Sequence, residues 1–308
     1  MQNIISLYFF MKSKFFYILF FALTINISAQ ETTKPQGWTS KGNFNLLFNQ
    51  SAFSNWVAGG DNTIAGNVGL NYDLNYVKGN FSWNNKILAS YGLTKSNNTN
   101  FEKKTDDRLE YNTLLGYKAE KNWYYSVLFN FKTQFTKGFK YFKNEEGVEK
   151  RTNYTAFFSP AYFKLGPGML WKKGQQLKVN IAPATAKVIV VDKKFTEPNA
   201  KYFGVEEGEN QRLELGFNAS AYYKLAIMEN VSVENIIALY ANYLENPENV
   251  DLDYTLNLVL KVNKYLSTNL IFQTIYDDNA YQGFQVREVF GVGLNYIFKN
   301  KHFKSFAS

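Results

Sequence analysis

The sequence predicts an all-β protein: a transmembrane antiparallel up-and-down β-barrel of about 12 strands, preceded by a cleaved signal peptide. Three observations carry that expectation. Apolar and polar residues alternate strictly over runs of ten or more positions. The segments between those runs are short and long by turns. The N-terminus has the layout of a secretory leader, and no other apolar run is long enough for a spanning helix.

The leader comes first. Met11-Lys12-Ser13-Lys14 is basic, Phe15 to Ile27 is almost wholly apolar, and Ser28-Ala29-Gln30 is small and polar. This is the n-region, h-region and cleavage-site order of a signal peptide, with cleavage expected after Ala29 or Gln30 and Met11 as the expected start. The apolar run falls short of the ~20 residues that cross a bilayer as a helix. The alternative, an anchor helix, would need Ile4 to Phe10 to join the run across Lys12 and Lys14. No Cys follows, so a lipoprotein is not expected. The expected division is a signal peptide at 1–29, a short periplasmic segment at 30–41, the barrel at 42–298 and a periplasmic tail at 299–308.

The strands follow in order. Between Ile64 and Tyr76 one face carries Val68, Leu70, Tyr72 and Leu74, and the other carries Asn67, Gly69, Asn71, Asp73 and Asn75. A period of two over that length is a strand with one apolar and one polar face. The same alternation recurs from Phe81 to Leu93, Arg108 to Lys118, Trp123 to Lys132, Arg212 to Leu225, Val250 to Asn263 and Phe284 to Phe298. Weaker runs at Asn43 to Phe53, Arg151 to Leu165, Leu177 to Val190, Val231 to Tyr243 and Leu266 to Asp277 complete twelve. The Arg151 and Leu177 runs carry Pro160 and Pro183, each of which removes a ladder hydrogen bond and suggests a bulge or bend, so their phase is left open.

Lys78-Gly79-Asn80, Glu120-Lys121-Asn122, Met228-Glu229-Asn230 and Lys264-Tyr265 read as tight turns, with Gly166 to Gln176 as a longer member of that set. The other connections, including Lys140 to Lys150 and Asp192 to Gln211, are longer and polar. Short turns on one side and long loops on the other is the outer-membrane arrangement, turns periplasmic and loops extracellular. A soluble sandwich alternates too. Strand length, the charge on the polar faces and the aromatics near strand ends (Tyr76, Trp83, Tyr117, Trp123, Tyr243, Tyr296, Phe298) favour the barrel, with its apolar face outward.

The polar face then lines a lumen. The expected lumen residues are Lys86, Arg108, Lys118, Lys132, Arg212, Lys224, Lys261 and Arg287 among the cations, and Asp73, Glu110, Glu214, Glu234, Asp251 and Asp253 among the anions. Twelve strands lie between the filled interior of eight and the open channel of sixteen. Both signs are present, so two outcomes stay open: a narrow polar channel, or a lumen plugged by ion pairs.

Composition excludes much else. The 308 residues contain no Cys and one His, His302, placed past the last expected strand, which removes thiol chemistry and leaves a Ser-His-acid triad without a usable base. The net charge of +8 is spread without a dense run, so no nucleic-acid partner is expected. Asp106-Asp107 and Asp277-Asp278 are paired carboxylates of the kind that bind Ca²⁺ or serve a hydrolase; the plainer expectation is rim residues in water. Gly59-Gly60 lacks the lysine and strand-to-helix context of a phosphate loop and reads as a tight turn, with Trp56 as an interfacial anchor. Thr133-Gln134-Phe135 suggests no chemistry.

Several stretches together resemble a domain-of-unknown-function family of Bacteroidota outer-membrane proteins. They are Gly42, Gln50-Ser51-Ala52-Phe53-Ser54-Asn55-Trp56, Gly59-Gly60-Asp61-Asn62, Tyr91-Gly92, Asp106-Asp107, Thr133-Gln134-Phe135, Ser159-Pro160, Tyr276-Asp277-Asp278 and Gly291 to Phe298. The resemblance implies the barrel and its location and brings no catalytic or ligand residues. The expectation is therefore a non-enzymatic barrel of a Gram-negative outer membrane, without cofactor or metal. Its partners would be outer-membrane lipid, the barrel-assembly machinery during insertion and a small polar solute. The channel is the first reading, a structural or surface-interaction barrel the second, and an outer-membrane hydrolase a distant third.

Overall fold

Alternating sequence makes two-faced strands, and two-faced strands close on themselves when no edge is left to water or lipid. The computed structural model describes residues 36–54, 60–197 and 201–303. Its strands are β1 (Gly37–Ser51), β2 (Thr63–Lys78), β3 (Phe81–Ser96), β4 (Lys103–Glu120), β5 (Trp123–Thr133), β6 (Gly138–Lys143), β7 (Glu149–Thr155), β8 (Ala161–Lys173), β9 (Leu177–Val190), β10 (Gln211–Met228), β11 (Val231–Asn242), β12 (Val250–Lys261), β13 (Leu266–Asp277) and β14 (Tyr281–Phe303). Twelve of them form a closed antiparallel barrel in which sequence neighbours pair and β14 returns to β1; β6 and β7 form a separate hairpin. The leader, Trp56, Gly59 and the last residues of the tail lie outside the described residues.

One end of the barrel carries tight turns. The β2–β3 connection closes directly from Lys78 to Phe81 with Gly79 at φ 53°, and the β4–β5 turn places Lys121 at φ 46°. Left-handed residues match the right-handed twist of the flanking strands. The other end carries the long connections, including the β6–β7 hairpin and the segment between β9 and β10. Outward faces are apolar and exposed, as at Phe44, Leu46 and Phe48 on β1, Leu213 and Leu215 on β10, and Val286, Phe290, Leu294 and Tyr296 on β14.

The structure differs from the sequence expectation in four places. Arg151 to Leu165 is not one strand: Glu149–Thr155 belongs to the hairpin, and β8 starts at Ala161. Gly166 to Gln176 is mostly strand rather than turn. Lys140 to Lys150 spans the β6–β7 hairpin rather than a plain loop. The strands also reach further than 42–298, because Trp38 pairs with Phe303 and Thr39 with Lys301, so His302 falls within β14.

The glycines and prolines that suggested a turn serve close packing instead. A Cβ on Gly166 would lie 2.4 Å from Thr185 Oγ1, and one on Gly168 would lie 2.3 Å from the Ile181 carbonyl oxygen. β9 runs against these glycines through a bulge around Pro183, where the registers with β8 and β10 both shift. Ala182 and Thr185 are both fully buried, so the bulge switches which parity faces inward.

Candidate functional site

Inward side chains enclose a chamber of about 1020 Å³. Its walls are mixed. Leu88, Leu114, Leu128 and Leu170 give one side an apolar lining, and Ile236 and Ala238 on β11 face them. The rest is polar and charged.

Two clusters of charge brace this space. In the one nearer the turn end, Lys86 Nζ lies 3.3 Å from Asp73 and 3.8 Å from Glu234, and Lys224 Nζ lies 3.0 Å from the other oxygen of Glu234. The Tyr222 hydroxyl donates to the same carboxylate at 3.0 Å. β3 and β11 stand diametrically opposite in the ring of twelve, so the Lys86–Glu234 contact crosses the lumen. The second cluster is nearer the loop end. Arg108 pairs with Glu110, whose carboxylate also accepts from Asn112 and Asn130. Lys132 on β5 reaches Asp253 on β12 at 2.7 Å, again across the barrel, and Gln273 donates to Asp253 at 2.8 Å. Lys187 lies 3.2 Å from Glu214 and 3.0 Å from Asp251. Arg287 lies 2.7 Å from Asp106.

Both ends of the chamber are built over. At the turn end Ser82, Tyr124, Ser126, Leu170, Lys172 and Asn180 are buried, Lys172 Nζ donates to Ser82 at 2.8 Å and Ser126 to Asn180 at 2.6 Å. At the loop end the segment between β9 and β10 folds down as a lid. It begins with a 3₁₀ turn, Lys193–Phe195, capped by the Asp192 side chain, which accepts from the Lys194 N–H. Val205 is fully buried, and Tyr202 packs with Ile189, Val191, Tyr154, Tyr162, Phe195 and Phe203 in one apolar cluster. Phe203 lines the chamber, and Arg212 donates to the Gly204 carbonyl at 2.9 Å. Tyr202 donates its hydroxyl to the Tyr154 carbonyl, which ties the lid to the β6–β7 hairpin.

The lid's ionisable groups respond to these contacts. Burial pushes the Tyr202 hydroxyl well above its ordinary value. The Lys194 side chain, and then its N–H, hold the Asp192 carboxyl below the usual carboxylate range. Lys201 does the same for Glu206.

Of the residues singled out from sequence, Asp73, Lys86, Arg108, Glu110, Lys132, Lys224, Asp251 and Asp253 line the chamber. Arg212, Glu214, Glu234 and Arg287 belong to the clusters without lining it. Lys118 and Lys261 are exposed at the turn end, away from it. Asp106 and Asp107 are not rim residues in water. Asp106 is buried against Arg287 and Asn67, and Asp107 accepts from the Phe135 and Thr136 N–H groups and from Lys104. Thr133-Gln134-Phe135 thus has a structural task, since Gln134 also donates to the Ala156 and Ser159 carbonyls. Asp251, Asp277 and Asp278 converge at the loop end, where the Lys187 ammonium supplies positive charge to Asp251.

Sequence reasoning missed Lys41, Lys164, Lys178 and Lys187, which also line the chamber. Lys41 lies on β1 just ahead of the first expected strand, and the other three sit on β8 and β9, where the bulge at Pro183 hides the phase. Lys164 and Lys187 are direct ladder partners, and both ammonium groups lie against the Tyr240 ring, at 5.0 and 4.8 Å from its centroid.

The fold and this interior define the class: a closed twelve-stranded antiparallel β-barrel with a braced, lidded lumen. Residues 48–139 match a protein family of unknown function, DUF3078. No curated protein matches the chain. Among solved structures it is similar to the translocator domain of the autotransporter NalP from Neisseria meningitidis, at 10% identity over 96% of this chain and 97% of that one, with a TM-score of 0.36. An outer membrane channel from Pseudomonas putida F1 overlays at 11% identity over 90% and 100%, TM-score 0.39. The outer membrane channel DcaP of Acinetobacter baumannii gives 9% over 89% and 100%, TM-score 0.25. No residue or role carries across at those values.

Proposed function

We propose that the chain is a non-enzymatic barrel of a Gram-negative, Bacteroidota outer membrane, and that it is a narrow, lidded channel for small polar solutes. The observation that carries this reading is the chamber itself: about 1020 Å³ stays open between the two charge clusters, although cations and acids abound there. The exposed apolar outer face supports a lipid surround, since lipid-facing and lumen-facing residues alternate along transmembrane strands. In this reading the turn end is periplasmic and the lid extracellular.

The cross-lumen pairs favour a second reading, a structural or surface-interaction barrel plugged by those pairs. Purified barrel in planar bilayers separates the two. The channel reading expects small discrete conductance steps that grow when Lys193 to Asn210 is replaced by a short Gly-Ser linker. Silence from both proteins at every salt and voltage would leave the plugged barrel.

A further inference from the structure

β14 is longer than anything it pairs with, 23 residues. Along one edge it bonds β13 from Leu294 up to Tyr281. Along the other it bonds β1 only up to the Phe48–Val292 pair. β1 continues through Asn49, Gln50 and Ser51, but these pair with β2 alone. Tyr281 to Gly291 therefore turns a row of backbone N–H and C=O groups toward β1 with no ladder partner among the described residues. Two other staggered seams are bridged among the described residues: on the β4 overhang the Asp107 carboxylate accepts from the Phe135 and Thr136 N–H groups, and on the β10 overhang the Leu215 carbonyl accepts from the Tyr243 N–H.

This open edge lies within the apolar band. Tyr296, Leu294, Val292, Phe290, Val286 and Phe284 are all exposed on the outer face of β14. From Tyr296 to Phe284, at ~3.3 Å per residue and a tilt of about 45°, the band is roughly 28 Å tall, close to the ~25 Å of a transmembrane barrel. In hydrocarbon each unpaired backbone group costs several kcal/mol, so such a backbone persists only where it lines a wet opening. The same stretch also carries Glu288, exposed on the outer face between Val286 and Phe290, with no ion-pair or hydrogen-bond partner among the described residues. On the inner face of the stretch, Gln285 lines the chamber.

We propose that the wall is open between the loop-end halves of β1 and β14, and that this lateral portal passes an amphipathic solute, an alkyl chain with a cationic or neutral polar end, between the outer leaflet and the chamber. The proposal rests on the membrane-embedded chamber proposed above. Glu288 on the lip attracts a cationic end and repels a carboxylate. The leucines of β3, β4, β5 and β8 accept the chain.

The chain has no Cys, so paired cysteines test the seam cleanly. Phe44→Cys with Tyr296→Cys places thiols on a paired position of the ladder. Gln50→Cys with Phe290→Cys places them where an unbroken ladder would put the same kind of pair. In liposomes under mild oxidant the first pair should cross-link and the second should not; equal cross-linking overturns the portal. A fluorophore on Ala238→Cys then reports entry of nitroxide-labelled dodecylamine supplied in the bilayer. Quenching should need about tenfold more probe in Glu288→Gln and should persist when the lid is deleted. Quenching indifferent to Glu288→Gln, or equal with labelled dodecanoate, overturns the proposal. Conductance from the same samples keeps the readings apart: conductance without quenching removes the portal alone, and loss of both removes the chamber.

Discussion

Lys86 and Glu234 meet at 3.8 Å from opposite walls of the barrel. Glu234 is the hub of that contact, shared by two lysines and a tyrosine hydroxyl and almost wholly withdrawn from water. A carboxylate so placed draws β3 and β11 together and narrows the lumen below the chamber. Glu234→Gln leaves two ammonium groups without that partner. Loss of a buried partner costs about 3–5 kcal/mol in a dry interior, and the exposure of Lys224 reduces this to roughly 2 kcal/mol here. The variant should lose heat resistance in a gel-shift assay and conduct more per channel. Lys86→Ala should also raise conductance. Unchanged conductance in both would show that the cross-lumen pair does not set the passage.

The lid depends on its apolar anchors. Tyr202 and Val205 are buried in a segment whose sequence reads as polar. Tyr202→Ala removes the central ring of the cluster and its hydrogen bond to Tyr154, for about 3–5 kcal/mol of lid stability by the usual cost of truncating a buried aromatic. The barrel ladder is untouched. Limited proteolysis should cut between Asp192 and Gln211 at least tenfold faster than in the parent while heat-modifiability stays the same. Equal cutting rates would mean that the ring does not hold the lid.

Much of the architecture could be read from residue order, and particular residues show where that ended. β12 keeps strict alternation because it pairs without a register shift with β11 and β13, each as long as itself. β8 and β9 do not, because Gly166 and Gly168 accept the backbone of β9 and the bulge at Pro183 exchanges inward for outward parity. A period-two reading has no way to see that switch, so Lys164, Lys178 and Lys187 were lost with it. The clusters failed for a different reason. Alternation shows that Lys132 and Asp253 both face inward, but two residues 121 positions apart carry no sign in the sequence that they meet. The lid escaped because four apolar anchors, Phe195, Tyr202, Phe203 and Val205, are dispersed among charges.

Acid should loosen the lid's first turn. The folded Asp192 carboxyl titrates below the ordinary value because the Lys194 side chain and N–H donate to it. A depressed carboxylate contributes stability above its unfolded pKa, and that contribution is lost as pH falls through the folded value. Between neutrality and pH ~4 the turn should hold, and below that range lid proteolysis should accelerate. Glu206, held down by Lys201, acts in the same direction. Asn at position 192 keeps a good capping oxygen and lacks the titration, so Asp192→Asn should flatten the acid limb without opening the lid at neutral pH. An acid limb of equal size in the variant would assign the effect elsewhere.

Lys164 should tune ion preference. The chamber lining carries eight basic side chains, Lys41, Lys86, Arg108, Lys132, Lys164, Lys178, Lys187 and Lys224, against five acidic ones, Asp73, Glu110, Asp251, Asp253 and Asp277. Most of the cations are held by carboxylates. Lys164 instead rests on the Tyr240 ring beside its ladder partner Lys187, with no carboxylate within ion-pair distance among the described residues. In the channel reading its charge is felt by a passing ion rather than cancelled locally, and charged side chains lining a pore favour ions of the opposite sign. In a tenfold KCl gradient the parent should show a modest anion-selective reversal potential. Lys164→Glu brings the two signs nearly level and should move that potential toward zero or past it, with Lys164→Gln between. Since the ladder at this position bonds through backbone alone, all three proteins should insert equally well. A reversal potential that ignores Lys164 would mean that ions bypass the chamber.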